Sequence, residues 1–273
     1  MSERSARPAL LDQADNGADG WSIVPAAIRD PSATLLPPWD TLFGPLKASS
    51  KDGRVIVGQL GQSLDGRVAT ETGHSHYING PAGLAHLHRL RAVVDAVVIG
   101  VGTAIADDPQ LTVRRVAGPN PARVVIDPRG RLRPTARALA DDGAERIVIA
   151  GEGTPHALPP GVEVMGLAAE NGRIAPATIL AALAEKGFRR MLIEGGADTL
   201  SRFLAAGCLD RFHIVVAPII LGTGRAGLTL PLIDRVDEAL RPSVTTHVLG
   251  DEVLFDCDFS AQRVAGERAK KST

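Results

Sequence analysis

Asp95-Ala96-Val97-Val98-Ile99-Gly100-Val101-Gly102-Thr103-Ala104 decides the fold. Its apolar run is short, mostly β-branched and without alternation, which suits a strand buried on both faces of a largely parallel sheet. The glycines that follow let the chain leave the strand sharply, so that backbone N–H groups can approach an anion. Outward from this stretch the same signature recurs at residues 54–60, 122–127, 145–150 and 189–194. Helices are expected between these strands. Residues 81–92 open on a proline after Asn79-Gly80, a candidate cap, while 175–186 and 197–206 stop at Gly187 and Gly207. Beyond residue 210 the pattern predicts antiparallel strands at 211–217, 244–249 and 253–258, the last two joined through Gly250-Asp251. The expected class is α/β: a mixed, mostly parallel sheet flanked by helices, with antiparallel C-terminal strands.

The 273 residues are 44% hydrophobic, enough for a sizeable core, and 30 Lys and Arg balance 31 Asp and Glu. That balance provides no global field toward nucleic acid or an anionic membrane. Cys208 and Cys257 stand far apart without metal-ligand spacing, as reduced structural thiols do. No apolar run reaches the roughly 18 residues of a membrane span, and the N-terminus is polar, so a cytoplasmic chain without a leader is expected. Residues 1–50 form a proline-rich extension, 51–262 the main domain, and 263–273 a charged tail expected to be disordered. Trp21, Trp39 and Phe43 predict that part of the extension docks.

Glycine-rich turns carry the chemical signal: Gly100-Val101-Gly102-Thr103, Glu194-Gly195-Gly196-Ala197 and Leu221-Gly222-Thr223-Gly224. Each follows a strand, where ligands sit in open α/β folds. Taken singly, each reads equally well as a plain tight turn, and no GxGxxG with a distal acid is present. His74 and His76 share a strand face, but His86 and His88 at i and i+2 of a helix point apart. No metal site is expected.

Taken together and in order, Ser63-Leu64-Asp65-Gly66-Arg67, His74-Ser75-His76-Tyr77-Ile78, Leu90-Arg91-Ala92, Asp107-Asp108-Pro109-Gln110-Leu111-Thr112-Val113-Arg114 and Glu194-Gly195-Gly196 resemble the reductase domain of the bifunctional riboflavin-biosynthesis deaminase/reductase family. The likeness runs over about residues 52–260 and implies a dihydrofolate-reductase-like fold. It also implies that NADPH delivers hydride to C1 of the ribosyl group in a 5-amino-6-(5-phosphoribosylamino)uracil-type substrate, giving the ribitylamino form. Carried over position by position, it implies substrate binding by Ser75, Arg91, Leu111, Arg114 and Glu194. Gly61, Tyr77, Thr103, Asp107, Gly196, Ala197, Asp198 and Thr199 fall on the cofactor side. Two guanidinium forks and a hydroxyl are what a phosphomonoester asks for. No general acid or base is assigned. Arg129, Arg131 and Arg133 either read a 2′-phosphate or form a solvated basic loop. Asp65 either holds a substrate amine or caps its turn, and Tyr77 either stacks on a ring or belongs to the core. Family members pair through their sheets, so a homodimer is implied.

The chain departs from that family at Gln59, often lysine, and at Tyr77, often tryptophan. Residues 1–50 hold no His-x-Glu and Pro-Cys-x-x-Cys zinc set, so reductase chemistry without the deaminase is expected. Two other readings stay open: reduction of a pterin or dihydrofolate-like heterocycle on the same fold, and a non-catalytic homologue whose extension covers the site.

Overall fold

The computed structural model describes residues 20–47, 52–76 and 78–264. In chain order it contains α1 (Val24–Arg29), α2 (Trp39–Phe43), β1 (Val55–Ser63), β2 (Arg67–Thr70), α3 (Pro81–Val93), β3 (Ala96–Gly100), α4 (Val101–Asp107), β4 (Ala122–Asp127), β5 (Arg146–Gly151), β6 (Val162–Leu167), α5 (Pro176–Glu185), β7 (Arg190–Glu194), α6 (Ala197–Ala205), β8 (Arg211–Ala217), β9 (Gly224–Ala226), β10 (Ser243–Leu249) and β11 (Glu252–Asp258). A nine-stranded sheet runs β10-β11-β8-β1-β7-β3-β4-β5-β6. Pairing is parallel from β8 through β6, and β11 is antiparallel to both β8 and β10. The expected α/β class with an antiparallel C-terminal edge is therefore found. One element of that edge differs: β8 joins β1 in parallel, because the chain crosses over through α6 before entering it. The short strands β2 and β9 pair with each other in a separate two-stranded sheet.

Alternate residues of each central strand feed two cores. Val55, Val57, Val97, Ile99, Val125 and Leu192 pack beneath α3, while Ile56, Val98, Val124, Met191 and Ile193 pack with α5 and α6. A strand buried on both faces has no polar side to show, which is why these segments read as unbroken apolar runs.

The docked part of the extension adds a layer over α3. Trp21, Trp39 and Phe43 are buried, with the two indole rings 5.2 Å apart edge-to-face. The Arg89 guanidinium lies 4.7 Å from the Trp39 ring centre, a buried cation–π contact. Arg29 donates to the carbonyl of Val94 at 3.2 Å, just past the last turn of α3, where a cation also meets the helix dipole. At the other end of the chain Arg263 is held by Asp210 and, at 3.1 Å, by Asp52. No helix among the described residues is long and apolar enough to cross a membrane.

Candidate active site

A cleft of about 820 Å³ opens at the C-terminal ends of β1, β3, β4 and β7. One end is built by two interlocked turns on neighbouring strands. A Cβ on Gly100 would stand 2.5 Å from Thr199 Oγ1, and Cβ atoms on Gly195 and Gly196 would stand 2.8 and 2.7 Å from Thr103. Each turn thus lacks side chains where the threonine of the other sits, and Gly195 also needs its left-handed φ of 78°. The arrangement brings the first turns of α4 and α6 together. No side chain caps the N-terminus of α6, so its leading amides are free to hold an anion.

The other end centres on Glu194, in register with Gln59 across the β1–β7 ladder. Arg91 grips this carboxylate with both edges of its fork: Nε donates to Oε2 at 2.8 Å and Nη2 donates to Oε1. Its Nη1 donates to the Thr112 carbonyl at 3.0 Å. The side chains of the pair are 5% and 10% exposed, so the charges are buried together. Behind them, Arg114 Nη1 donates to Thr112 Oγ1 at 3.1 Å, and its backbone N–H donates to His88 Nδ1 at 3.0 Å. Asp108 and Leu111 in this loop adopt left-handed φ values of 39° and 59°, uncommon for non-glycine residues and held here by the buried Leu111 side chain.

The residues singled out from sequence fall into two groups. Ser75, Glu194, Gly61, Thr103, Asp107, Gly196, Ala197, Asp198 and Thr199 all line the one cleft. Arg91, Leu111 and Arg114 do not; they form the layer behind Glu194, so Arg91 acts on the cleft through that carboxylate and is not a free phosphate fork. Tyr77 lies outside the described residues. Arg129 and Arg131 line the cleft, whereas Arg133 faces a separate, smaller cavity. Gln59 lines it too and is 7% exposed. Asp65 takes the structural role: it accepts from Ser63 Oγ at 2.6 Å, Leu221 N at 3.1 Å and Gly222 N at 2.7 Å. These bonds, Ser63 first, hold its carboxyl down at about 2. The 221–224 turn is thereby tied to Asp65 and leads into β9, not into a helix.

Of the candidate cap Asn79-Gly80, Gly80 occupies the N-cap position of α3. Asn79 instead donates to Glu252 at 2.7 Å and lines the cleft. Arg173 and Arg225, also on the lining, carry no sequence signal beyond their charge. Burial pushes the Asp107 carboxyl up from its ordinary range, opposed by His76. His86 sits 3.0 Å from His213, both buried, and no group of three His, Cys, Asp or Glu among the described residues is placed to hold a metal.

The His88 contact yields a pH prediction. Burial, then the neighbouring arginines, push its imidazole down to about 3. The unfolded chain takes up this proton near 6.5, so the stabilisation is complete above 6.5 and is lost as pH falls from 6.5 toward 3. Denaturant midpoints should drop between pH 7.5 and 5, and the drop should shrink in His88→Gln; an equal drop in both would show that the imidazole is not its source.

The RibD C-terminal domain family matches residues 54–241. A 2,5-diamino-6-ribosylamino-4(3H)-pyrimidinone 5′-phosphate reductase of Methanothermobacter thermautotrophicus is 33% identical over 211 residues, covering 74% of this chain and 96% of that protein. The riboflavin biosynthesis protein RibD of Aquifex aeolicus is 37% identical over 173 residues, covering 62% of this chain and 48% of that one. Among solved structures, Acinetobacter baumannii RibD superposes with a TM-score of 0.66 at 28% identity, over 80% of this chain and 62% of that chain. The chain thus spans nearly all of the archaeal reductase but about half of the Aquifex RibD. On the strength of the family match and the archaeal likeness, the chain belongs to the RibD C-terminal domain family.

Proposed function

We propose that this protein reduces the ribosyl group of a phosphoribosylaminopyrimidine to the ribityl form with NADPH. One observation carries the reading: a glycine-lined pair of helix N-termini and a polar Gln59–Glu194 floor share a single cleft. The cradle fits a dinucleotide, since side chains at Gly100, Gly195 or Gly196 would fill it. NADPH, when bound, supplies the hydride. The chain's own residues orient and stabilise. The α6 amides would hold the pyrophosphate, Glu194 is held and aimed by Arg91, and Ser75 on the cleft lining takes the phosphomonoester. Gln59 presents an amide, both donor and acceptor, to the pyrimidine. The archaeal relatives are named for the 2,5-diamino form, which makes it the first substrate to offer. Loss of reduced-nicotinamide absorbance should be seen with that phosphate or its deaminated counterpart and not with dihydrofolate; turnover of dihydrofolate alone would reverse the assignment.

Arg129 and Arg131 line the cleft beyond the end of β4, where a cation meets a 2′-phosphate. Arg131→Ala should raise the KM for NADPH about tenfold and leave that for NADH unchanged, by the usual worth of a charged hydrogen bond. An equal effect on both cofactors would move the 2′-phosphate elsewhere. A homodimer in the cytoplasm belongs to the same proposal. β10 is an unpaired edge, and the segment leading into it exposes Leu232 at 93% and Val236 at 79%, a surface that a second copy would cover. Sedimentation should give twice the chain mass at micromolar concentration; a monomer would refute this part.

A further inference from the structure

We propose that Asn79, oriented by Glu252, presents a fixed carbonyl acceptor to the cleft and selects a ligand group bearing an N–H, either a primary carboxamide or a ring amine. The proposal rests on the reading of the cleft as a nicotinamide and aminopyrimidine site. Glu252 opens β11, outside the 54–241 family match, and is 3% exposed. Its Oε1 accepts from Asn79 Nδ2 at 2.7 Å, and its Oε2 accepts from the Gly83 N–H at 2.8 Å, in the first turn of α3. That position, at the positive end of a 13-residue helix, is where a buried carboxylate is best tolerated.

A carboxylate only accepts, so both of its partners must donate. The Asn79 amide is therefore denied its flipped orientation, a constraint reinforced by the 3.4 Å contact of Nδ2 with the Val215 carbonyl. Its Oδ1 is left facing Gly61, where any side chain would overlap it, and both residues line the cleft. The fit is closed on the other side as well: a Cβ on Gly83 would stand 2.5 Å from Glu252 Oε2. Glu252 does not reach the cleft. It is a positioning residue that acts through Asn79, and it brings the C-terminal hairpin into the construction of the site.

The test uses the full chain in four versions: wild type, Glu252→Gln, Asn79→Asp and the double variant. The introduced glutamine can accept from Gly83 or from Asn79 but not from both, and two carboxylates face each other in Asn79→Asp. Each single change should weaken the ligand that supplies the N–H about tenfold while kcat moves less than about twofold. In the double variant the aspartate accepts from the glutamine amide and still offers an oxygen to the cleft. Affinity should return to within about threefold of wild type, a coupling that general loosening of the fold does not produce. Both the dissociation constant of NADPH and the KM of the aminopyrimidine phosphate are measured. A loss confined to the first places the N–H on the cofactor, a loss confined to the second places it on the substrate, and either supports the proposal. Asn79→Ala, which leaves Glu252 on Gly83, should give the same tenfold loss and serves if Glu252→Gln does not fold. Wild-type binding with unchanged affinities in the variants, or no recovery in the double variant, overturns the proposal alone. A wild type that binds neither ligand removes the proposed function and this inference with it.

Discussion

Arg91→Ala is expected to lower stability by about 3–5 kcal/mol and to abolish measurable turnover, because it leaves the buried Glu194 carboxylate without its counter-ion. Against a total stability of about 5–15 kcal/mol, the variant should fold only under favourable conditions. Activity loss alone would therefore say little about phosphate binding. The informative comparison is Arg91→Ala with Glu194→Gln: removing both charges should restore most of the denaturant midpoint but not turnover, since the oriented carboxylate is gone. Arg114 behaves differently because it is exposed. Its alanine variant should keep the wild-type midpoint and, because the side chain lies outside the cleft lining, change the KM of a phosphorylated substrate by less than about twofold; a rise of about tenfold would put the phosphate on Arg114. If Arg91→Ala leaves stability unchanged, the buried pair described above does not form.

The second large effect is expected at the interlocked turns. Gly195→Ala places a methyl 2.8 Å from Thr103 Cγ2 and forces a left-handed φ on a residue with a Cβ, a strain of about 1–2 kcal/mol. The chain relieves the clash by separating the α4 and α6 termini. NADPH affinity should fall about a hundredfold, a few kcal/mol lost from a site that depends on closely set amides. Thr103→Ala removes the atoms the new methyl strikes, so Gly195→Ala/Thr103→Ala should bind NADPH more tightly than Gly195→Ala does. Titration of nicotinamide fluorescence measures all of them. Unchanged affinity in Gly195→Ala would mean that the cofactor does not rest on these turns.

Where residues are covered on both sides, the sequence carries its structure openly. Residues 96–100, 122–127, 146–151 and 190–194 are strands whose centres are apolar and mostly β-branched because they lie between two helical layers, with charged residues such as Arg123, Asp127, Arg146 and Glu194 confined to their ends. β6 escaped notice because it is an edge strand, with Glu163 and Val164 exposed and Gly166 in its run. α4 reads from sequence as a glycine-rich turn, because its seven residues include Gly102 and follow β3 without a polar cap. In the site, motif order brought Ser75, Thr103 and Glu194 to one cleft, since strand ends converge in this topology. Pairing was not legible. Arg91 and Glu194 are 103 residues apart, and sequence shows two charges without showing that one neutralises the other. Glu252 was still less visible, because a lone acid in a hairpin reads as solvated surface until β11 lies down beside the loop before α3. Its signal, in retrospect, is the glycine at 83, a poor residue for the first turn of a helix, where a side chain would stand 2.5 Å from Glu252 Oε2.

Hydride transfer from the cofactor to a ribosyl carbon leaves a label that can be followed. A single turnover of the full chain with NADPH deuterated at the transferring position, offered 2,5-diamino-6-ribosylamino-4(3H)-pyrimidinone 5′-phosphate, tests it directly. The expected product carries one deuterium on C1 of a ribityl chain, with the pyrimidine ring unlabelled. Deuterium in the ring, or an unchanged ribosyl group beside oxidised cofactor, would contradict it.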